Sequence, residues 1–244
     1  MTPKIHFVSF FGAGLDYDML PYWLPHYESL GCDSYTVFLH LSKDPLLNKY
    51  VIAHFETYKF TVYPLPADVM EKQGGVNPLD VVKVSALESF AKNLPPEDFS
   101  LYADGDEIQI WNRLPREEVE RGISIVIGDL VDRFDETLHP VDPFKTLHEN
   151  YPMEHENLFQ LVKDESHLTR KYCLYPSRFP INYIGNHAVK RGYDWKGPAP
   201  VTTGPIRIDH YHWRQSALER VQNRSYWSLE QIKATATFFG IELV

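Results

Sequence analysis

The 244-residue sequence predicts one α/β domain built around a mostly parallel sheet. Apolar, strand-like runs alternate with segments of helical periodicity through the first hundred residues, at the spacing of right-handed βαβ units. The chain is 43% hydrophobic, which is enough to bury one sizeable core, and no linker-like stretch divides it in two. We therefore expect a Rossmann-like single domain over residues 1–244.

The first unit is predicted from a buried strand at residues 5–11, a loop containing two glycines, and a helix. Gly31 is well placed to end that helix, because glycine readily takes the left-handed conformation of a helix C-cap. Apolar side chains recur along the helix at helical spacing: Leu20, Trp23, Leu24, Tyr27 and Leu30. The next predicted elements are strands at 35–41, 60–63 and 99–102 and helices at 45–58 and 81–92.

The second half of the sequence is patterned less clearly. Residues 123–128 and 207–214 are strand-like, whereas residues 129–151 are rich in Asp, His and Pro without clear periodicity. From residue 217 the chain is predicted to be helical, best patterned over 226–240. An irregular stretch inside a compact domain is more often functional than accidental.

Three acidic side chains follow the fourth predicted strand within four residues, as Asp104-Gly105-Asp106-Glu107. Clustered carboxylates repel one another unless a cation lies between them, and their oxygen atoms suit Mg²⁺ or Mn²⁺. An acidic surface turn is the alternative, but apolar residues flank the motif on both sides. Because ligands collect at the carboxyl ends of parallel strands, we expect this turn to share one rim with the loops at 12–18, 42–44 and 65–75.

The composition argues against several classes of partner. Lys and Arg number 24 and Asp and Glu number 33, a formal net charge of −9, so nucleic acid is not an expected partner. The two cysteines, Cys32 and Cys173, lack the spacing of a metal site or a disulfide scaffold. No segment has the ~18 apolar residues of a membrane span, and the amino terminus lacks a secretory pattern. We expect a cytoplasmic protein without a transmembrane segment, and leave open a peripheral position at the inner face of the membrane.

Several segments together resemble the GT-A glycosyltransferases, most of all the family 2-like and family 92-like bacterial enzymes. The resemblance is carried by the helix Leu-Pro-His-Tyr-Glu-Ser-Leu-Gly-Cys-Asp at 24–33, Tyr-Ala-Asp-Gly-Asp-Glu at 102–107, Gly-Asp-Leu-Val-Asp-Arg at 128–133, Gly-Asn-His at 185–187 and Asp-His-Tyr-His-Trp-Arg at 209–214. It implies a GT-A fold in which residues 1–112 bind a nucleotide sugar and residues 113–244 bind the acceptor and end in a helix. The first loop departs from relatives that carry Lys-Asn-Glu there, so the donor stays open.

The resemblance implies a metal-dependent transfer of a sugar from a nucleotide diphosphate sugar to a hydroxyl of a carbohydrate or glycolipid acceptor, in polysaccharide or glycoconjugate synthesis. The expected cofactor is Mn²⁺ or Mg²⁺. Glu107 is assigned to a supporting or structural role. His210 and His212 lie two apart in a strand and so share a face, where one could reach the metal; a satisfied pair at a sheet edge is the alternative. The predicted metal ligands are Asp104, Asp106, His210 and His212.

The remaining predicted site residues concern the nucleotide and the acceptor. An inverting enzyme needs a carboxylate base, for which Asp132 is the first choice and Asp129 and Glu154 are the reserves. Asp132 and Arg133 are equally consistent with a structural charge pair, and a retaining mechanism would need no such base. The residues expected at the nucleotide are Asp104, Asp44, Phe11, Lys83 and His187, of which Asp104 also faces the ribose or a metal-bound water.

Two other functions remain as alternatives. A nucleotidyltransferase has a similar sheet and acidic metal site, although the first strand here is not followed by a glycine-rich run with Arg and Lys that could hold a triphosphate. A non-catalytic carbohydrate-binding protein would keep the fold without turnover, but an intact acidic cluster costs stability when no cation compensates it. A glycoside hydrolase is disfavoured because its two carboxylates come from separate elements.

Overall fold

The computed structural model describes residues 2–67, 78–135, 141–155, 170–182, 188–189 and 199–213. The strands, in chain order, are β1 Ile5–Gly12, β2 Ser34–His40, β3 Thr61–Leu65, β4 Phe99–Asp104, β5 Glu107–Ile110, β6 Val126–Phe134, β7 Met153–His155, β8 Arg170–Pro176, β9 Ile181–Asn182, β10 Ala188–Val189 and β11 Ile206–Trp213. The helices are α1 Ala13–Asp16, α2 Leu20–Ser29, α3 Pro45–Thr57, α4 Pro78–Asn93, α5 Pro115–Glu120 and α6 Leu147–Asn150, with a 3₁₀ turn at Tyr17–Met19.

One sheet of nine strands organises the described chain. Its order is β3-β2-β1-β4-β8-β6-β11-β5, and β7 pairs with β6 beside this path. The four strands β3, β2, β1 and β4 are all parallel, joined through α2, α3 and α4. The predicted α/β class and its Rossmann-like parallel unit are therefore confirmed. The strand β8 then runs antiparallel between β4 and β6, and β11 is parallel to β6 but antiparallel to β5.

Two apolar clusters cover the faces of the parallel unit. Successive side chains of a strand point to opposite faces, so Phe7 and Phe11 of β1 enter one cluster while Val8 and Phe10 enter the other. The first cluster is dominated by rings: Phe11 lies 5.5 Å from Trp23 of α2 and 5.1 Å from Phe55 of α3, centroid to centroid. Edge-to-face contacts of this kind add to the hydrophobic burial that holds the helices on the sheet.

Local sequence signals determine where the first two helices end and begin. Helix α2 ends as expected before Gly31, whose φ of 67° lies in the left-handed region that glycine tolerates. Helix α3 begins after Asp44, whose side chain accepts hydrogen bonds from the amides of Leu46 at 2.8 Å and Leu47 at 3.4 Å. These amides have no partner within the helix, so the cap stabilises its first turn.

The prediction that residues 129–151 are irregular was wrong for part of that stretch. Strand β6 runs from Val126 to Phe134, and the short helix α6 occupies Leu147–Asn150. From Val126 to Asp132 every second position of β6 is buried, and after Val126 these positions are held by Gly128, Leu130 and Asp132. Only one of these is a large apolar residue, so the alternation is invisible in a hydrophobic pattern.

Three predicted features lie outside the described residues: most of the loop at 65–75, His187, and the C-terminal helix from residue 217. The division into a nucleotide-sugar half and an acceptor half stays a prediction, although strands of the second half pair directly with β4 and β5 of the first. Within the described residues, no helix combines the length and the apolar content needed to span a membrane.

Candidate functional site

The acidic motif lies in a tight turn between β4 and β5, pressed against the core. A Cβ on Gly105 would lie 2.6 Å from Phe11 Cδ2 and 2.9 Å from Asp16 Oδ2, so only glycine fits there without displacing its neighbours. Helix α2 supports the turn from below: Trp23 Nε1 donates to the carbonyl of Asp104 at 3.1 Å, and Tyr27 Oη donates to the carbonyl of Glu107 at 3.0 Å. The three carboxyl groups are therefore carried by a fixed backbone.

Strand pairing brings a histidine of β11 to the motif. His210 is the direct partner of Glu107 on β5 and of Asp132 on β6. The amide of Tyr211 donates to the carbonyl of Asp106 at 2.7 Å, which ties β11 to the turn. As a result, Asp106, Glu107 and His210 each offer a ligand atom, and these atoms all lie within 4.8 Å of one another.

The imidazole of His210 lies between two carboxylates. Its Nδ1 is 2.6 Å from Asp132 Oδ1, and its Nε2 is 3.6 Å from Asp106 Oδ2. Burial alone would lower the pKa of His210, but the charges and hydrogen bonds of Asp106 and Asp132 outweigh it and raise the pKa to about 10. The ring is therefore a cation at neutral pH in the metal-free chain.

Asp104 is held by three donors. Lys83 Nζ lies 2.6 Å from its Oδ1, Tyr102 Oη donates to the same oxygen, and Lys171 Nζ lies 2.5 Å from its Oδ2. Burial would raise the pKa of Asp104, but the two ammonium groups overcome this and hold the pKa well below its usual range. Both carboxylate oxygens of Asp104 are thus occupied by the chain's own donors.

Glu107 shares Lys171 with Asp104. The Lys171 ammonium contacts Glu107 Oε1, and Glu107 Oε2 accepts from the amide of Asp104 at 3.1 Å. Burial raises the pKa of the Glu107 carboxyl, and the charge of Lys171 offsets only part of that rise. For Lys171, burial favours the neutral amine, but the two carboxylates more than compensate and raise its pKa. Asp104, Glu107 and Lys171 thus form one charged group, and Asp106 is the acid of the motif that lies outside it.

The other predicted site residues occupy varied positions. The side chain of Phe11 is fully buried among the rings of the first cluster, and Asp44 caps α3. The backbone of His212 lies in β11, and its side chain lies outside the described part of the chain. Of the reserve bases, Asp129 pairs with Arg170 at 2.9 Å, and Glu154 pairs with Arg133 at 2.8 Å and with Arg207 at 2.6 Å.

The donor set suits a hard or borderline divalent cation. Carboxylate oxygens with one imidazole nitrogen are ligands that Mn²⁺ accepts, and the Nδ1 of His210 already bonds to a carboxylate, as is usual for metal-binding histidines. Asp106 and His210 are the better-placed pair, because the oxygens of Glu107 are engaged by Lys171 and a backbone amide. A cation would displace the proton from His210 Nε2.

Lys171 is the site residue that the sequence interpretation missed. It enters through β8, which was not predicted, although Tyr172-Cys173-Leu174-Tyr175 is rich in residues that favour strands. Nothing local connects a lysine at this position to acids more than sixty residues earlier. The pairing of β8 with β4 and β6 is what places it there.

A scan against protein-family models and a search of curated proteins both find no match. Among solved structures, TarS from S. aureus is 9% identical, and the match covers 96% of this chain and 42% of that protein at a TM-score of 0.40. Core-mannan synthase A from Aspergillus fumigatus, in a Mn/GDP form, is 11% identical over 55% of this chain and 43% of that protein, with a TM-score of 0.29.

A protein described as a glucose-1-phosphate thymidylyltransferase from Bacillus anthracis, solved with sucrose, is 14% identical over 71% of this chain and 72% of that protein, with a TM-score of 0.34. The structures similar to this chain thus include glycosyltransferases and a nucleotidyltransferase. The chain spans less than half the length of TarS and of the mannan synthase. Because the TM-scores are below 0.5, no function is inferred from these similarities. The function is inferred from the residues of the site.

Proposed function

We propose that this chain is a metal-dependent glycosyltransferase that moves a sugar from a nucleotide diphosphate sugar to a hydroxyl group of a carbohydrate or glycolipid. The observation that carries the proposal is the cluster of Asp106, Glu107 and His210 at the carboxyl end of β4, beside the parallel strands. Ligands of open α/β sheets bind at that edge. A cytoplasmic location and a polysaccharide or glycoconjugate product belong to the same proposal.

Asp106 and His210 would hold the cation, Mn²⁺ or Mg²⁺. When bound, such a cation acts as a Lewis acid that stabilises the departing diphosphate. Asp106 supplies a carboxylate that Lys171 does not neutralise, and His210 supplies Nε2, which already faces Asp106 at 3.6 Å. Glu107 lies beside this pair, and its carboxylate is held in place by Lys171.

We assign Lys83 and Asp104 to the nucleotide rather than to the cation. Both oxygens of Asp104 are bound to lysines, which leaves them poor metal ligands but keeps the carboxylate rigid. The Lys83 side chain is 12% exposed and lies over the rings of Phe10 and Tyr102 at about 5.5 Å. It is therefore at the rim of the buried group, where its ammonium would neutralise phosphate oxygens as charge develops on them.

A nucleotidyltransferase is the alternative within the same chemistry, because it also needs a divalent cation and lysines beside phosphate. The two activities differ in their products. A glycosyltransferase releases a nucleoside diphosphate from a nucleotide sugar, whereas a nucleotidyltransferase releases pyrophosphate from a nucleoside triphosphate and a sugar phosphate.

The deciding experiment measures both products. The chain is incubated with Mn²⁺ and either a panel of nucleotide sugars with carbohydrate and glycolipid acceptors, whose hydroxyls receive the sugar, or a panel of triphosphates with sugar phosphates. Nucleoside diphosphate and pyrophosphate are then quantified. We expect nucleoside diphosphate release from one class of nucleotide sugar, absent in Asp106→Asn and unchanged in Glu120→Gln, an exposed acid on α5. Pyrophosphate release alone would replace the proposal with the alternative. Release of neither product, with sugar binding retained, would favour a carbohydrate-binding protein.

A further inference from the structure

We propose that Asp132 is a positioning residue: it holds the imidazole of His210 so that Nε2 faces the cation bound by Asp106. The inference rests on the proposed function and adds a role that differs from that of the catalytic base. Three side chains from three elements contact one another in sequence: Asp132 of β6 contacts His210 of β11, and His210 contacts Asp106 in the turn before β5.

The hydrogen bond of Asp132 decides which nitrogen is available. His210 Nδ1 lies 2.6 Å from Asp132 Oδ1, and an ionised carboxylate can only accept, so Nδ1 carries the proton. The nitrogen that would give up its proton to a cation is then Nε2, which lies 3.6 Å from Asp106 Oδ2. Hydrogen bonding of the second nitrogen is what fixes tautomer and ring direction in metal-binding histidines.

The backbone fixes this arrangement as well. Asp132 and His210 are direct partners in the parallel pairing of β6 with β11, so their side chains leave the same face of the sheet. On its other side His210 is the direct partner of Glu107 in the antiparallel pairing with β5. The two ladders therefore fix the backbone of His210 beside the acidic motif, and the hydrogen bond of Asp132 fixes the direction of its ring.

Burial separates a positioning role from the role of a base. Asp132 is 2% exposed, and one of its oxygens is committed to His210. A general base has to come within hydrogen-bond reach of the acceptor hydroxyl, about 2.6–3.2 Å. A carboxylate that is buried against His210 does not offer an acceptor hydroxyl that access. An acid that contacts the histidine and not the solvent acts through the histidine.

The two roles predict different outcomes for the same substitution. If Asp132 were only the base, Asp132→Asn would lower kcat and leave Mn²⁺ affinity unchanged. If it positions His210, the Asn amide can donate to Nδ1 and leave the proton on Nε2, the wrong nitrogen for a ligand. We then expect Mn²⁺ affinity to fall about 10- to 100-fold, the usual effect of removing a carboxylate behind a metal-binding histidine.

The test titrates Mn²⁺ without nucleotide, followed by electron paramagnetic resonance, on wild type, Asp132→Asn, Asp132→Glu and His210→Gln. Pulsed measurements add a structural readout, because a coordinated imidazole produces ¹⁴N modulation on bound Mn²⁺. The matched control is Asp129→Asn, the same change on the same strand; Asp129 lies on the other face and is 42% exposed. Thermal melting of each variant checks its fold.

We expect Asp132→Asn to bind Mn²⁺ at least tenfold more weakly and to lose the ¹⁴N modulation, as His210→Gln does. Asp132→Glu keeps a group that can only accept a hydrogen bond, so it should retain the ¹⁴N modulation. This variant tests the inference independently if Asp132→Asn fails to fold. Wild-type affinity and modulation in Asp132→Asn, or an equal loss in Asp129→Asn, would overturn the positioning role alone. A wild-type chain that binds no Mn²⁺ would overturn both this inference and the proposed function.

Discussion

Lys171 Nζ lies 2.5 Å from Asp104 Oδ2 and also contacts Glu107 Oε1, so one buried ammonium joins the first and last acids of the motif. The repulsion expected among these carboxylates is thus relieved in part by the chain itself. The acid outside this group is Asp106, which is why the cation is assigned to Asp106 with His210 rather than to Asp104.

Removing Lys171 should destabilise the fold strongly. Lys171→Met leaves two buried carboxylates without their shared counter-ion, and breaking a buried ion pair from one side costs about 3–5 kcal/mol. We expect a loss of that size in the free energy of unfolding, measured by urea denaturation without divalent cations. Glu107→Gln in the Lys171→Met background should recover part of it, because Glu107 is the acid that loses its ammonium partner, whereas Asp104 keeps Lys83.

Lys83→Met provides the comparison for that prediction. Asp104 would keep Lys171 and Tyr102, and Lys83 is partly exposed, so the loss should be the smaller of the two. Equal losses for the two lysines would contradict the view that Lys171 is the central counter-ion.

Gly128 should not tolerate a side chain. A Cβ at this position would lie 2.5 Å from Ile208 Cγ1 and 2.9 Å from Cys173 Sγ, because β6 is packed between β8 and β11. Overpacking of this kind costs typically about 1–3 kcal/mol, and we expect Gly128→Ala to lower the unfolding free energy by that amount. Gly204→Ala is the control: its Cβ meets nothing within 4 Å, so its stability should match wild type.

Asp98 should make stability depend on pH in the acid range. Its carboxylate accepts from the amide of Lys4 at 2.9 Å and lies 2.9 Å from His6 Nε2. Burial would raise the pKa of Asp98, but these hydrogen bonds outweigh it and lower the pKa below its unfolded value, about 4. The stabilisation is therefore present above the unfolded pKa and is lost as the pH falls through the folded value.

We expect Asp98→Asn to be less stable than wild type by about 1.5–3 kcal/mol at pH 7, the range for hydrogen bonds to a charged group. The difference should shrink as the pH drops below about 4, measured by urea denaturation at several pH values. Glu97→Gln, a change at the exposed neighbouring acid, should show no such trend. A difference that stays constant into acid would contradict the assignment.

The parallel half of the sheet could be predicted from the sequence because its signals are local. Apolar runs mark β1 to β4, and Gly31 marks the end of α2. The acidic turn was identified for the same reason, since its residues are contiguous. Most of β6 was missed because a buried position holds Asp132 instead of an apolar residue. Strand β8 was missed although residues 172–175 favour a strand, and the partners of its buried Lys171 lie far away in sequence.

The pairing within the site could not be read from the sequence for a related reason. His210 and Asp132 were both identified as candidates, but as a metal ligand and a base rather than as partners. Their contact depends on the register of β11 against β6, a non-local pairing that no pattern within either segment encodes. Register of this kind is decided by the whole packed sheet.

The most direct measurement is calorimetric binding of a nucleoside diphosphate panel to wild type and Asp106→Asn, each with Mn²⁺ and with a chelator. We predict that one nucleotide binds wild type only when Mn²⁺ is present and that Asp106→Asn abolishes this binding while the fold is retained. Nucleotide binding that is equally strong in chelator, or Mn²⁺-linked binding that survives in Asp106→Asn, would contradict the cation site at Asp106 and His210.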